Sequence, residues 1–129
     1  MNFCLSCAKC CYNTEMELSK QDIKRIEDQN TLGLKKDDFC FKTDGFFKLR
    51  NKDTHCIFLD LITNHCKIYL IRPTGCKFYP LIFNQDKNKC VIDDDCPYRN
   101  KFFKHKPILQ KNCRKLRKWV FNELFNNSD

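Results

Sequence analysis

Four cysteines in eight residues, Cys4, Cys7, Cys10 and Cys11 in the run FCLSCAKCC, constrain this chain more than any other feature. A two-residue gap lets successive thiolates of a tight loop converge on one metal centre. Cys11 follows Cys10 directly, so their side chains diverge; either both serve one polynuclear centre or Cys11 reaches a second metal. Seven more follow, Cys40, Cys56, Cys66, Cys76, Cys90, Cys96 and Cys113, making eleven in 129 residues. An odd count leaves one thiol over from any complete disulfide set. Dense cysteine in a reducing compartment is more often metal-binding or catalytic. The N-terminal run lacks the basic start and apolar stretch of a secretory signal, and no apolar run approaches the roughly 18 residues of a membrane span. The expectation is a cytoplasmic domain without a membrane span, whose cysteines hold metal rather than pair as disulfides.

Length allows one compact domain. Its pattern reads as α+β: short antiparallel hairpins with flanking helices. Ser19 with Asp22 three residues on is a capping pattern, and Ile23 and Ile26 sit at helical spacing. That helix fades between Asn30 and Gly33. Residues 35–45 are charged and end in the turn signal Asp44-Gly45, which leads into a strand, FFKLR. HCIFLDLITNHCKIYLIRP gives two apolar runs around Asn64, a hairpin with cysteines at its open parts. A third pair is KFYPLIF and KCVI about NQDKN. Asp60 reads as a turn residue and Asp22 as a cap.

From Pro97 to Asn122 there are nine Lys or Arg and no acid, a formal +9, so the other residues sum to −1 in a chain of net +8. Leu109, Cys113, Leu116, Val120 and Leu124 share one helical face, with the cations mostly off it. The organisation expected is a metal-cluster region over 1–99 and a basic amphipathic helical extension over 100–129, packed on the same domain. Cys113, on the apolar face, reads as core filling. Cys40 and Cys90 are open, as extra ligands or free thiols. His55 and His65, each one residue before a cysteine, read as surface or strand polarity rather than ligands. Only three glycines occur, so phosphate-binding glycine loops are absent, and no hydrolytic triad or paired-carboxylate pattern stands out.

In order along the chain, FCLSCAKCC, ELSKQDIKRI, HCIFL, CKIYLIRPTGCKFYP and DCPYR resemble the YkgJ-like CxxCxxCC cysteine-cluster family, described as a zinc- or iron-chelating domain. The resemblance spans roughly residues 3–99, with Ala8 where the family usually has glycine. It implies Cys4, Cys7, Cys10, Cys11, Cys56, Cys66, Cys76 and Cys96 as metal ligands. Arg72, in the RPxxC turn, is the candidate for a supporting contact to a ligand sulfur. Tyr69, Phe78 and Tyr79 are expected to shield the metal from water.

Zinc favours closed tetrahedral sites built from paired knuckles. Three thiolates at three-residue intervals on one loop suit three corners of a cubane, so an iron–sulfur cofactor, one or two 4Fe–4S clusters, is favoured over zinc. The leading expectation is an iron–sulfur protein in electron transfer, metal handling or a redox step, with a protein or redox partner. One alternative is a zinc-binding nucleic-acid-associated module, with Arg114, Lys115, Arg117 and Lys118 contacting RNA phosphates beside Tyr98, Phe102, Phe103 and Trp119. Another is an iron–sulfur-dependent modifying enzyme of methyltransferase-like type. Cysteine clusters related to this one occur in longer relatives, the flagellin lysine N-methylases.

Overall fold

Helix α1, Lys20–Gln29, begins where Ser19 and Asp22 complete a capping box. The Asp22 N–H donates to Ser19 Oγ at 3.1 Å and the Ser19 N–H to Asp22 Oδ2 at 3.2 Å, satisfying two donors that a helix start leaves open. Ile23 and Ile26 face the core as their spacing predicts. The helix ends at Asn30, whose side-chain amide donates to the Ile26 and Leu34 carbonyls at 2.7 and 3.0 Å.

The computed structural model describes residues 11–93 and 105–125, an α+β fold. Strand β1 (Glu17–Leu18) lies on one edge of a three-stranded antiparallel sheet. After α2 (Lys36–Phe39), β2 (Cys40–Thr43) and β3 (Phe46–Leu49) complete it in the order β1-β3-β2. Asp44 and Gly45 make the β2–β3 turn at φ 52° and 85°, a backbone region that favours glycine at the second position. The segment 35–45, expected only as a charged connection, thus holds a helix and a strand. Phe41 and Lys42 of β2 are exposed while Cys40 is buried, so one-sided polarity masks the strand in the sequence.

Three two-stranded ribbons follow. β4 (Asn51–Lys52) pairs with β5 (His55–Cys56), β6 (Leu59–Asp60) with β7 (His65–Cys66), and β8 (Leu81–Asn84) with β9 (Lys89–Ile92), all antiparallel. The expected hairpin around Asn64 is the β6–β7 ribbon: Asp60 Oδ1 accepts from the Ile62 and Thr63 N–H groups, and Asn64 sits at φ 62°. Between the last two ribbons lie a 3-10 turn, Tyr69–Ile71, and helix α3, Thr74–Phe78. The expected strand KFYPLIF is therefore corrected: only Leu81–Asn84 is extended, and Lys77 and Phe78 are helical. Pro73 and Pro80 bracket a single helical turn too short to show periodicity.

Helix α4, Lys106–Trp119, has proline in its first turn and continues through a π-helical segment, Val120–Leu124. Leu109, Cys113, Leu116, Val120 and Leu124 all join one core with Leu81, Phe83 and Trp119, so the predicted apolar face is the one that is buried. A second core gathers Leu18, Ile23, Ile26, Phe39, Phe58 and Ile68. Between them, Gly75 of α3 approaches Met16 so closely that a Cβ there would overlap its Sδ.

Among the described residues a disulfide, Cys90–Cys113, joins β9 to α4 across 23 residues, with Cα atoms 5.9 Å apart. It corrects the expectation that the cysteines avoid disulfides, and Cys90, left open as an extra ligand or a free thiol, is in this structure neither. The strand pairing Phe83↔Cys90 turns Cys90 toward the α4 core, a proximity no local spacing encodes.

Candidate metal centre

The chain leaving the cysteine run is laid along the β4–β5 ribbon. Tyr12 bridges His55, and the Asn13 N–H donates to the Thr54 carbonyl at 2.8 Å. Asn51 fixes the next residue in both directions, accepting from the Thr14 N–H at 3.1 Å and donating to its carbonyl at 3.0 Å. These bonds hold Cys11 and Cys56, each one residue beyond the Tyr12–His55 bridge, in neighbouring segments. Cys56 is buried and pairs with Asn51.

Cys66 arrives by the next ribbon, where it pairs with Leu59, while the Lys67 N–H donates to the Phe58 carbonyl at 2.7 Å. Cys11, Cys56 and Cys66 all pack on the Phe39–Phe58 core. Phe58 and Ile68, both buried, flank the two ribbon cysteines in sequence, and they form the apolar backing there. The aromatic shield expected from Phe78 and Tyr79 is not found in that core. Phe78 packs with α4, and the Tyr79 hydroxyl donates to Asp93 Oδ2 at 2.6 Å.

Cys76 rides on α3, whose position is set from α1. Asp22, with a fully buried side chain, accepts at Oδ1 from the Arg25 guanidinium at 2.7 Å, the Thr74 hydroxyl at 2.7 Å and the Thr74 N–H at 3.1 Å. Arg25 also donates to the Arg72 carbonyl at 3.0 Å. A residue legible from sequence only as a cap thus ties the RPTGC turn to a helix 52 positions away. The signal available was the capping box; nothing local pointed to Thr74.

Arg72 itself folds back on its own turn, donating to the Tyr69 carbonyl at 2.8 Å with its guanidinium 4.1 Å from the Tyr69 ring centroid. His55 is buried beside the Tyr12 ring and His65 is exposed. Cys40 is 1% exposed, its Sγ donates to the Lys36 carbonyl at 3.3 Å, and burial pushes its thiol up to about 11. Burial favours the protonated thiol at Cys40, which argues against the extra-ligand reading of the two left open for it. Cys4, Cys7, Cys10 and Cys96 lie outside the described residues. Among the described residues, no three His, Cys, Asp or Glu side chains come together as a metal-holding group.

On α4, Lys111, Arg114, Lys115 and Lys118 are exposed. Arg117 differs from the expected phosphate contact. Its guanidinium lies 5.6 Å from the Phe83 and 5.4 Å from the Phe121 ring centroid, and it donates to the Asn88 carbonyl at 3.1 Å. Tyr98, Phe102 and Phe103 are outside the described residues, and Trp119 is core.

A family model named CxxCxxCC, described as "Putative zinc- or iron-chelating domain", matches residues 3–114. The chain belongs to this CxxCxxCC family. The match runs into the first half of α4, further than the motifs alone trace. No curated protein and no solved structure matches the chain. Cys11, Cys56 and Cys66 pack on one apolar core, and thiolates bind zinc and iron well. Family and donor chemistry together support metal binding. Among the described residues no helix is long and apolar enough to cross a membrane.

Proposed function

We propose that the chain is an iron–sulfur protein in which Cys4, Cys7, Cys10, Cys11, Cys56, Cys66, Cys76 and Cys96 hold one or two 4Fe–4S clusters. Its role is electron transfer, metal handling or a redox step in the cytoplasm. The observation that carries this reading is the Tyr12–His55 bridge, which lays the end of the CxxCxxCC run beside Cys56. Bound there, a cluster supplies a one-electron couple. The chain's own residues do the rest: Asn51 and Thr54 fix the loop exit, Phe58 and Ile68 back the ribbon cysteines, and Asp22 orients the turn bearing Cys76. Lys67 and Lys77, each next to a cysteine and exposed, offset part of the negative charge that tetrathiolate units bring.

The test is anaerobic purification with elemental analysis and Mössbauer spectroscopy. Iron with acid-labile sulfide in stoichiometric amount, brown colour and absorbance at about 400 nm are expected. Colourless protein with firmly bound zinc would replace iron–sulfur by the zinc reading.

A second reading, a zinc-binding nucleic-acid-associated module, is favoured by the exposed cations of α4 lying close in sequence to Phe121 and Phe125, which are 42% and 37% exposed. It requires salt-sensitive RNA binding that falls when Arg114, Lys115 and Lys118 are neutralised; binding that ignores both salt and these changes removes it. The enzyme reading requires a metal with an open coordination position, and full cysteine ligation of every metal would remove direct catalysis there.

A further inference from the structure

The described cysteines divide between the two cores. Cys40 and Cys56 are buried in the Phe39–Phe58 core, and Cys11 and Cys66 pack on it. Cys90 and Cys113 pack instead on the α4 core and are bonded to each other. Cys40 Sγ donates to the Lys36 carbonyl as a thiol does, so the chain carries thiol and disulfide on separate cores. The proposed metal ligands include neither Cys90 nor Cys113.

The disulfide sits on the weakly held half of α4. Lys106, Pro107, Ile108, Gln110 and Lys111 are exposed, and Leu109, Asn112 and Cys113 are only partly buried; full burial begins at Leu116. From this half, Leu109 and Cys113 pack on the core. The helix also starts without help from side chains: His105 makes no capping hydrogen bond, and the first turn carries Lys106 and no acid. A cap and a first-turn carboxylate are what ordinarily steady a helix start. Local opening of residues 106–113 therefore brings the S–S bond to solvent while the core from Leu116 onward stays packed.

Charge favours exchange at this bond. Lys89 precedes Cys90, Arg114 follows Cys113, and residues 105–122 contain no acid. Arg117, one helical turn beyond Cys113, holds the Asn88 carbonyl. Asp93, three residues past Cys90, is engaged by the Tyr79 hydroxyl. Nearby cations stabilise a departing thiolate, and a better leaving thiolate departs faster.

We propose that Cys90–Cys113 is a reversible thiol–disulfide couple, exchanging with a small thiol of the glutathione class, whose state sets how firmly residues 106–113 are held to the β8–β9 ribbon. A thiolate attacks one sulfur of the opened bond; the S–S bond breaks, a mixed disulfide forms and the other cysteine leaves as thiolate. A second thiolate resolves the mixed disulfide. In sum, the protein disulfide and two small thiols give two cysteine thiols and one small disulfide, with two electrons and two protons passing to the protein. The reverse sequence closes the latch. None of this depends on which metal the other cysteines hold.

For the test, full-length, metal-loaded protein is equilibrated anaerobically in buffers of varied reduced-to-oxidised glutathione ratio. Each sample is alkylated and mapped by mass spectrometry, with amide hydrogen exchange followed in parallel. Expected is one two-electron transition in which Cys90 and Cys113 become alkylated together. Across it the amides of residues 108–113 exchange at least about tenfold faster, the order expected when a cross-link leaves a segment that opens locally. Residues 116–120 keep their protection and metal content stays constant. Cys90→Ala with Cys113→Ala should exchange fast at every ratio, and the wild-type titration decides the matter if that variant does not fold. A bond that survives every ratio short of global unfolding is a fixed staple and would overturn the proposal. So would thiols at both positions at every ratio, or reduction without faster exchange in residues 108–113. Metal lost in step with the transition would join the pair to the metal thiols and overturn it as a separate couple.

Discussion

Asp22→Ala tests how the turn bearing Cys76 is held. The substitution removes the reciprocal half of the α1 capping box, worth about 1 kcal/mol. It also strips the acceptor from the buried Ser19 N–H and from both donors of Thr74, at about 1–3 kcal/mol for each donor left unpaired. Arg25, 26% exposed against a fully buried carboxylate, loses its ion partner, and breaking a buried pair costs about 3–5 kcal/mol. These contributions share atoms and do not add. The net expectation is about 4 kcal/mol, a large part of a stability of about 5–15 kcal/mol. Asp22→Asn keeps one oxygen acceptor and should cost about 2 kcal/mol. Urea unfolding of metal-loaded protein, followed by circular dichroism, gives the magnitude, and the rate of Cys76 alkylation reports whether α3 has come loose. Alanine within about 1 kcal/mol of wild type, with Cys76 as protected as before, would refute the coupling. A cycle with Arg25→Ala should show a favourable interaction energy of about 1–3 kcal/mol.

Other perturbations follow the same physics. Cys40 has its folded value raised from 9.0 to about 11, so the unfolded chain loses the proton first and stability should fall between about pH 9 and 11. A melting series over that range, compared with Cys40→Ala, should show a shallower decline in the variant; parallel curves would count against a buried thiol. The Glu17 carboxyl is raised by burial, so its ionisation opposes folding as pH rises through its folded value. Glu17→Gln should then melt higher than wild type at neutral pH and equally in acid, and a lower melting temperature at neutral pH would contradict this. Cys76→Ser and Cys10→Ser should yield metal-poor, aggregating protein, because a structural thiolate site contributes roughly 10 kcal/mol or more of apparent binding energy. Normal melting with full metal content would remove both from the ligand set.

Local chemistry was the legible part of this fold. A Ser19–Asp22 capping box, the Asp44–Gly45 turn and the α4 face each follow from residues within a few positions of one another, and each stands in the structure as read. Features set by distant neighbours were not legible. Helix α3 is one turn between two prolines, without room for a period. Arg117 looks like one more surface cation until Phe83, from another element, is brought under it. Cys90 and Cys113 are 23 residues apart and meet only because β9 and α4 share a core. For the candidate site, spacing and resemblance indicated which thiols to consider. The pairing of Tyr12 with His55 and the bonds from Asp22 to Thr74 supply the means of holding Cys11, Cys56 and Cys76, and neither could be seen before the chain was folded.

X-ray absorption at the iron and zinc edges of anaerobically purified, full-length protein tests metal ligation by these cysteines most directly. Stoichiometric metal with a first shell made up of sulfur, at about 2.3 Å for either metal's thiolates, is expected. Protein that folds and melts normally without metal, or metal surrounded by oxygen and nitrogen alone, would contradict it.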